Sequence, residues 1–327
     1  MSSSLKTPFV YPVYQEMCLY SKKHIYPQFE KNATATPEQQ YEFVKKLRAD
    51  SSEPFVKTKL KETLKSTYIM NEVNTTIFRP PGTEGQLLDV IILLHGGGWI
   101  VDDLNTYSKF ATDICITSQS AVVFVQYTLS PEVRFPVALE ECFSVLYWIS
   151  ENGHSVCLNQ HNIVVLGDSA GVNMATVLTM MTKDRGMDNV IKAQVLLYPV
   201  TSPKFGIYES HHLFSDAAYG LGKLHNDILY THYFPNSINT RYASPLLATD
   251  EQLKGLPPAF VLTCEADILR DEGEDYASRL MAVGVDTVAI RVKGVIHGYL
   301  VDDYPDNSTY IMSLKSICDF IKSIQFK

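Results

Sequence analysis

Hydrophobic and polar positions change rhythm near residue 88 of this chain. Residues 1–65 are polar and rich in Lys, Glu and Tyr. Within them, segment 37–48 sets Gln40, Tyr41, Phe43, Val44 and Leu47 after Pro37, a spacing that predicts an amphipathic helix. Segment 66–79 carries β-branched residues around a turn at Asn71 and Asn74, which predicts strands at a sheet edge. Then come short unbroken apolar runs at 88–94 (LDVIILL), 121–125 (AVVFV), 163–166 (IVVL), 195–197 (VLL) and 259–262 (AFVL). Val288 to Val292 is a sixth candidate. Such runs suit strands buried on both faces of a parallel sheet.

Between the runs the period becomes helical. Cys142, Val145, Leu146 and Ile149 recur at i, i+3, i+4, i+7 after Pro136, which is well placed near a helix start. The same spacing joins Met174, Val177, Leu178 and Met181, then Ala277, Leu280, Met281 and Gly284, then Leu314, Ile317, Cys318 and Ile321. Asp271 followed by Glu274 resembles a capping arrangement for the third of these helices. Alternation of this kind implies a mostly parallel α/β sheet with helices on both faces. Residues 200–256 interrupt it. They hold no strong buried strand and many aromatics: Phe205, Tyr208, Phe214, Tyr219, Tyr230, Tyr233, Phe234 and Tyr242. An insertion over the C-terminal edge of the sheet is expected, where open α/β sheets bind ligands.

Composition narrows the classes. In 327 residues, 46% hydrophobic and 20% charged positions fit a globular chain and exclude disorder or coiled coil as its main character. A net charge of −8 argues against a nucleic-acid partner, which needs clustered Lys and Arg. The six cysteines, at 18, 115, 142, 157, 264 and 318, form no C-x-x-C pair and no zinc spacing with His. Cys142, Cys264 and Cys318 lie in apolar periodic segments and read as small buried hydrophobes. No stretch approaches the ~18 apolar residues of a membrane span, and Met1 to Tyr20 lacks the pattern of a signal peptide. A reduced cytoplasmic setting without a stable membrane anchor is the expectation.

Four segments carry chemistry. Residues 163–171 run from an apolar strand through Gly167-Asp168-Ser169-Ala170-Gly171 directly into a helical period. That is the context of a nucleophile elbow, where a tight turn demands glycine at both flanks and presents Ser169 at a helix N-terminus. A glycine-containing helix start with a capping serine is the structural alternative. Residues 94–99, Leu-His-Gly-Gly-Gly-Trp, follow another strand. Glycines let backbone N–H groups approach a ligand, and acyl transfer needs donors for an oxyanion; Gly96, Gly97 and Ala170 are the candidates. A phosphate loop fits poorly, since no G-K-[ST] follows. His95, beside this loop, reads as a structural hydrogen-bonding residue.

Asp267 lies just past the strand 259–262, on the same sheet edge, and is the candidate acid. Asp271 reads as a helix cap; Asp302 and Asp303 follow the candidate histidine and so have the wrong chain order. His297 sits on a glycine-flanked loop, Lys293 to Tyr299, past the last strand. His154, His161, His211, His212, His225 and His232 lie in polar or inserted segments and read as surface or packing residues. The order Ser169, Asp267, His297 is that of α/β-hydrolases. In such a triad the histidine is the base, the acid orients it, and amides hold the tetrahedral oxyanion; no metal and no cofactor is required.

The blocks HGGGW, Tyr127 to Glu132 (YTLSPE), GDSAG, Tyr242 to Ala248 (YASPLLA), DILRDEG and HGY follow one another across residues 88–300. This series resembles the hormone-sensitive lipase family of carboxylesterases, and its GDSAG-type branch in particular. The resemblance implies an α/β-hydrolase fold in a single domain over 1–327, with a cap built from about 1–60 and 200–245. It also implies that Tyr127, Pro131 and Glu132 buttress the site. The activity it implies is hydrolysis of small to medium acyl esters through a covalent acyl-enzyme, the partner being a small-molecule ester. An amidase or deacetylase with the same triad is the alternative within hydrolases. A non-catalytic small-molecule receptor is the alternative outside them, disfavoured because all three triad residues are present. An edge strand and the last helix leave room for a homodimer.

Overall fold

The computed structural model describes residues 8–51, 63–202, 206–234, 238–301 and 307–325. Among these, eight strands form one sheet: β1 (Leu64–Met70), β2 (Val73–Arg79), β3 (Leu88–Leu94), β4 (Ala121–Val125), β5 (Leu158–Asp168), β6 (Ile191–Leu197), β7 (Ala259–Ala266) and β8 (Thr287–Ile296). Their spatial order is β1-β2-β4-β3-β5-β6-β7-β8. β1 and β2 form an antiparallel hairpin and β2 joins β4 antiparallel; all later pairings are parallel. β3, β4 and β5 are buried on both faces, as their unbroken apolar runs require, apart from Asp89 in β3 and residues 159–162 of β5.

Two strand expectations change in detail. The hairpin turn falls at Asn71-Glu72, both with positive φ (47° and 71°), while Asn74 lies inside β2. At the other edge β8 runs on to Ile296, and its first half alternates outward, leaving Val288 43% exposed. Only its last three residues are fully buried, where the chain turns toward the site.

Eleven helices accompany the strands among the described residues: α1 (Pro12–Tyr20), α2 (Tyr26–Asn32), α3 (Pro37–Ser51), α4 (Leu104–Ser118), α5 (Val137–Asn152), α6 (Ala170–Asp184), α7 (Glu209–Leu213), α8 (Lys223–Tyr233), α9 (Asp250–Leu253), α10 (Arg270–Ala282) and α11 (Ser308–Gln325). α5 and α6 pack together, and α10 joins them through the 2.7 Å hydrogen bond between the Thr176 and Tyr276 hydroxyls. α4 and α11 pack against each other and against other strands of the sheet. α10 begins at Arg270, and Asp271 does not cap it. Its carboxylate accepts from the Ser210 backbone N–H (2.7 Å) and from Arg270 Nε (2.7 Å), tying α7 to α10.

α1 and α2 are linked by a π-helical turn at Ser21–Ile25. A small apolar cluster of Phe29, Phe43 and Ile228, separate from the main core, joins α2, α3 and α8. Part of the aromatic insertion is used for packing. Tyr230, Tyr233 and Phe234 are buried against Trp99, with Tyr233 stacked on it at 4.5 Å and 9°, so they dock α8 on the loop after β3. Tyr208 and Tyr242 hydrogen-bond Asp275 and Asp184. Phe205, Asp302 and Asp303, with residues 1–7 and 52–60 of the expected cap, lie outside the described residues.

Candidate active site

Parallel pairing puts the C-terminal ends of β3, β5, β7 and β8 on one edge, and each leads into a candidate segment. β3 connects to β4 on one side and pairs with β5 on the other, so the site lies where strand order reverses, the usual ligand position in an open α/β sheet.

β5 ends at Asp168, and Ser169 follows with φ 51° and ψ −119°, a conformation that an L-residue holds only under constraint. The constraint is steric. A Cβ on Gly167 would stand 2.4 Å from the Gly171 carbonyl, and one on Gly171 would stand 1.9 Å from the Leu94 oxygen. Both glycines are therefore obligatory, the first for the turn and the second for the approach of α6 to β3. Ser169 N–H donates to the Leu197 carbonyl (2.9 Å), which fixes the turn against β6.

The Ser169 hydroxyl lies 2.8 Å from His297 Nε2, and His297 Nδ1 lies 2.8 Å from Asp267 Oδ2. Asp267 is 2% exposed, and its other oxygen accepts the Leu269 N–H (2.9 Å). That bond fixes the carboxylate plane and leaves one oxygen for the imidazole. Tyr198 packs edge-on against the imidazole at 4.9 Å. A hydroxyl, an imidazole and a carboxylate thus lie in one line, an arrangement with the geometry to activate a serine.

The loop after β3 supplies donors. Gly97, Gly98 and Trp99 have φ of 73°, 59° and 62°, one left-handed turn. Its internal bonds run from the Ile100 and Val101 N–H groups back to the Gly97 carbonyl, so the amides of Gly97 and Gly98 are not used within it. Gly96 departs from the expectation. Its N–H donates to the Tyr107 hydroxyl (2.8 Å), so this amide is engaged and not presented to a substrate. Gly97 lies in that left-handed turn, and Ala170 is the first residue of α6, directly after Ser169. His95 is buried and stacked between Phe124 and Tyr127, and burial pushes its pKa down to about 3. It is a neutral packing residue, not a base. Tyr127 donates to the carbonyls of His95 (2.8 Å) and Gly96 (3.0 Å).

Residues 91–301, more than half of the chain, match the family described by the α/β hydrolase fold. The chain belongs to that family, in its hormone-sensitive lipase and carboxylesterase type. Carboxylesterase NlhH of Mycobacterium tuberculosis is 32% identical over 234 residues, 71% of this chain and 72% of that one. An α/β hydrolase of Acanthamoeba polyphaga mimivirus is 38% identical over 231 residues, 70% of this chain and 66% of that one. Among solved structures, a Rhizomucor miehei esterase superposes with a TM-score of 0.85 at 33% identity, covering 97% of this chain and 98% of that one.

Three residues of this α/β hydrolase, Asp168, Tyr107 and Arg48, escaped the sequence reading. Asp168 stands inside GDSAG, is 2% exposed and accepts from the Tyr107 hydroxyl at 2.9 Å by either oxygen. Tyr107 lies 61 positions away in α4 and carries no local signal. The second anchor is Arg48 of α3, which donates to Glu132 (2.6 Å), to the Ile100 carbonyl (2.6 Å) and to the Ser130 carbonyl. Among the described residues there is no cluster of three His, Cys, Asp or Glu suited to a metal, and no helix long and apolar enough to cross a membrane.

Proposed function

We propose that the chain is a serine carboxylesterase for small to medium acyl esters, working through Ser169, His297 and Asp267. The observation that carries this is the pair of 2.8 Å contacts linking the three side chains at a strained elbow. His297 takes the Ser169 proton as the hydroxyl attacks the ester carbonyl. Asp267 holds the imidazole with Nε2 toward serine and stabilises the imidazolium. The oxyanion is received by the amides of Gly97, Gly98 and Ala170. Collapse expels the alcohol, which takes its proton from His297, and leaves an acyl-enzyme on Ser169. Water activated by the same histidine then releases the acid. The esterase names of the relatives agree with this chemistry.

The same reading makes the chain one domain, with α1–α3 and the 206–234 helices as a cap over the sheet edge. Six cysteines without a disulfide are consistent with a reducing, cytoplasmic setting.

The test is hydrolysis of p-nitrophenyl acetate and butyrate in EDTA, beside acetanilide amides. Wild type is expected to turn over the esters, and Ser169→Ala to lose at least about 10³-fold in kcat. Asp267→Asn should lose about 10³–10⁴-fold, whereas Asp271→Asn should stay within about threefold. Full activity in Ser169→Ala would sink the mechanism, and faster amide than ester turnover would replace the substrate class.

A further inference from the structure

We propose that Tyr107 and Asp168 form a positioning pair that holds the glycine loop in register with the nucleophile elbow, so that the loop's free amides meet the oxyanion formed at Ser169. The proposal rests on reading Ser169 as the acyl-transfer nucleophile.

The geometry is a three-membered bridge. Tyr107, fully buried on α4, accepts the Gly96 N–H at 2.8 Å and donates its hydroxyl proton to the Asp168 carboxylate, with 2.9 Å to each oxygen. Gly96 is the second residue after β3, and Asp168 is the last residue of β5, directly before Ser169. One hydroxyl therefore couples two neighbouring strand ends, one bearing the oxyanion loop and the other the nucleophile. The fit is tight. A Cβ on Gly96 would stand 2.7 Å from Asp168 Oδ2 and 3.0 Å from the Tyr107 hydroxyl. From the other side Tyr127 donates to the Gly96 carbonyl, so both ends of that residue are held by tyrosine hydroxyls.

Packing alone does not account for the pair. Asp168 is enclosed, and desolvation raises its pKa to about 7 despite the Tyr107 and Gly96 donors. An apolar side chain would fill the space without that cost. Precision does account for it. Oxyanion donors act only when aimed to within a few tenths of an ångström, and a turn of three positive-φ residues has no side-chain packing of its own at its glycines. Fixing Gly96 fixes the point from which that turn starts.

Tyr107→Phe removes one oxygen and leaves the ring. The measurements are kcat and KM for p-nitrophenyl butyrate, Ki for a trifluoromethyl ketone that adds to serine as an oxyanion, and Tm. Because Tyr107 touches no substrate, kcat is expected to fall about 10–100-fold, less than for loss of a direct donor, with KM within about twofold. Ki should rise by the same factor as kcat falls. Asp168→Asn, which keeps an acceptor for Tyr107, should lose less than Asp168→Ala. An unchanged kcat overturns the proposal. So does a fall in kcat with Tm that leaves Ki relative to KM unchanged, the mark of a purely structural bond. If Tyr107→Phe does not fold, the Asp168→Asn and Asp168→Ala pair decides on the same Ki and KM ratio. A wild type inert toward every ester overturns the esterase reading itself, which is a separate failure.

Discussion

The sheet edge that carries Ser169 and the group of helices α2, α3 and α8 are built on opposite terms. At the edge, backbone meets backbone. Gly171 lets α6 approach the end of β3, Ser169 holds a positive φ, and Asp168 is buried at a cost. By contrast, α2, α3 and α8 meet through side chains, the Phe29, Phe43 and Ile228 cluster, and α8 meets the loop after β3 through the stacking of Tyr233 on Trp99. Side-chain contacts can be re-made by substitution, whereas a backbone contact at van der Waals distance cannot. Ser169 sits where backbone cannot relax, and α2, α3 and α8 meet where side chains can be repacked.

Glycines give the sharpest break for this contrast. In Gly171→Ala the new Cβ would stand 1.9 Å from the Leu94 oxygen and 2.8 Å from the His95 oxygen, both backbone atoms. Overpacking against yielding side chains costs about 1–3 kcal/mol; against a central strand it should exceed that and leave little folded or active enzyme. Gly206→Ala in the inserted segment is the control. Gly206 has φ 94°, but nothing lies within 4 Å of its Cβ position, so only conformational strain of about 1–2 kcal/mol is expected, with kcat unchanged. Soluble yield, Tm and kcat of the two variants check this. Equal damage from both would dissolve the distinction.

Asp168 gives the next effect, and it depends on pH. Its folded pKa, about 7, stands above the ordinary 3.8. Between those values the folded state keeps a proton that the unfolded chain has released. Stability is therefore full below about pH 4 and falls as pH rises toward 7. Asp168→Asn abolishes that loss. Relative to wild type it should gain stability on going from pH 5 to pH 8, by on the order of 2–3 kcal/mol. Urea unfolding at the two pH values measures it. A difference that does not change with pH would mean the carboxylate is not held at a cost, and the edge would then resemble that group of helices.

The same contrast explains what could be read from the chain. The buried strands, the order Ser169, Asp267, His297 and the need for Gly167 and Gly171 were legible because each is written in a local pattern. β8 was half misread, since an edge strand alternates and its apolar run is not a buried one. Gly96 was misassigned because its partner, the Tyr107 hydroxyl, comes from a helix with no motif. The aromatic insertion was recognised as an insertion, but the stacking of Tyr233 on Trp99 is set by packing across space and has no local pattern. Asp271 looked like a cap because helix starts favour acidic residues, yet its acceptor role lies across space at Ser210.

Arg48 carries the smallest effect and marks the boundary between the two regions. It reaches from α3 to Glu132 and to the carbonyls of Ile100 and Ser130, so it ties that group of helices to loops that lead away from β3 and β4. Its side chain is 23% exposed and that of Glu132 is 38% exposed, so the ion pair itself is weakened by solvent. Loss of the arginine should cost about 1 kcal/mol of unfolding free energy, read from the shift of the urea midpoint and mostly from the two carbonyls. Arg48→Lys should not restore it, because one ammonium cannot serve a carboxylate and two carbonyls set at different angles. If those helices only shape access, Arg48→Ala should move KM by about threefold or less and leave kcat in place. A fall in kcat as large as that from Tyr107→Phe would carry the rigid region up into α3, and the boundary drawn here would have to move with it.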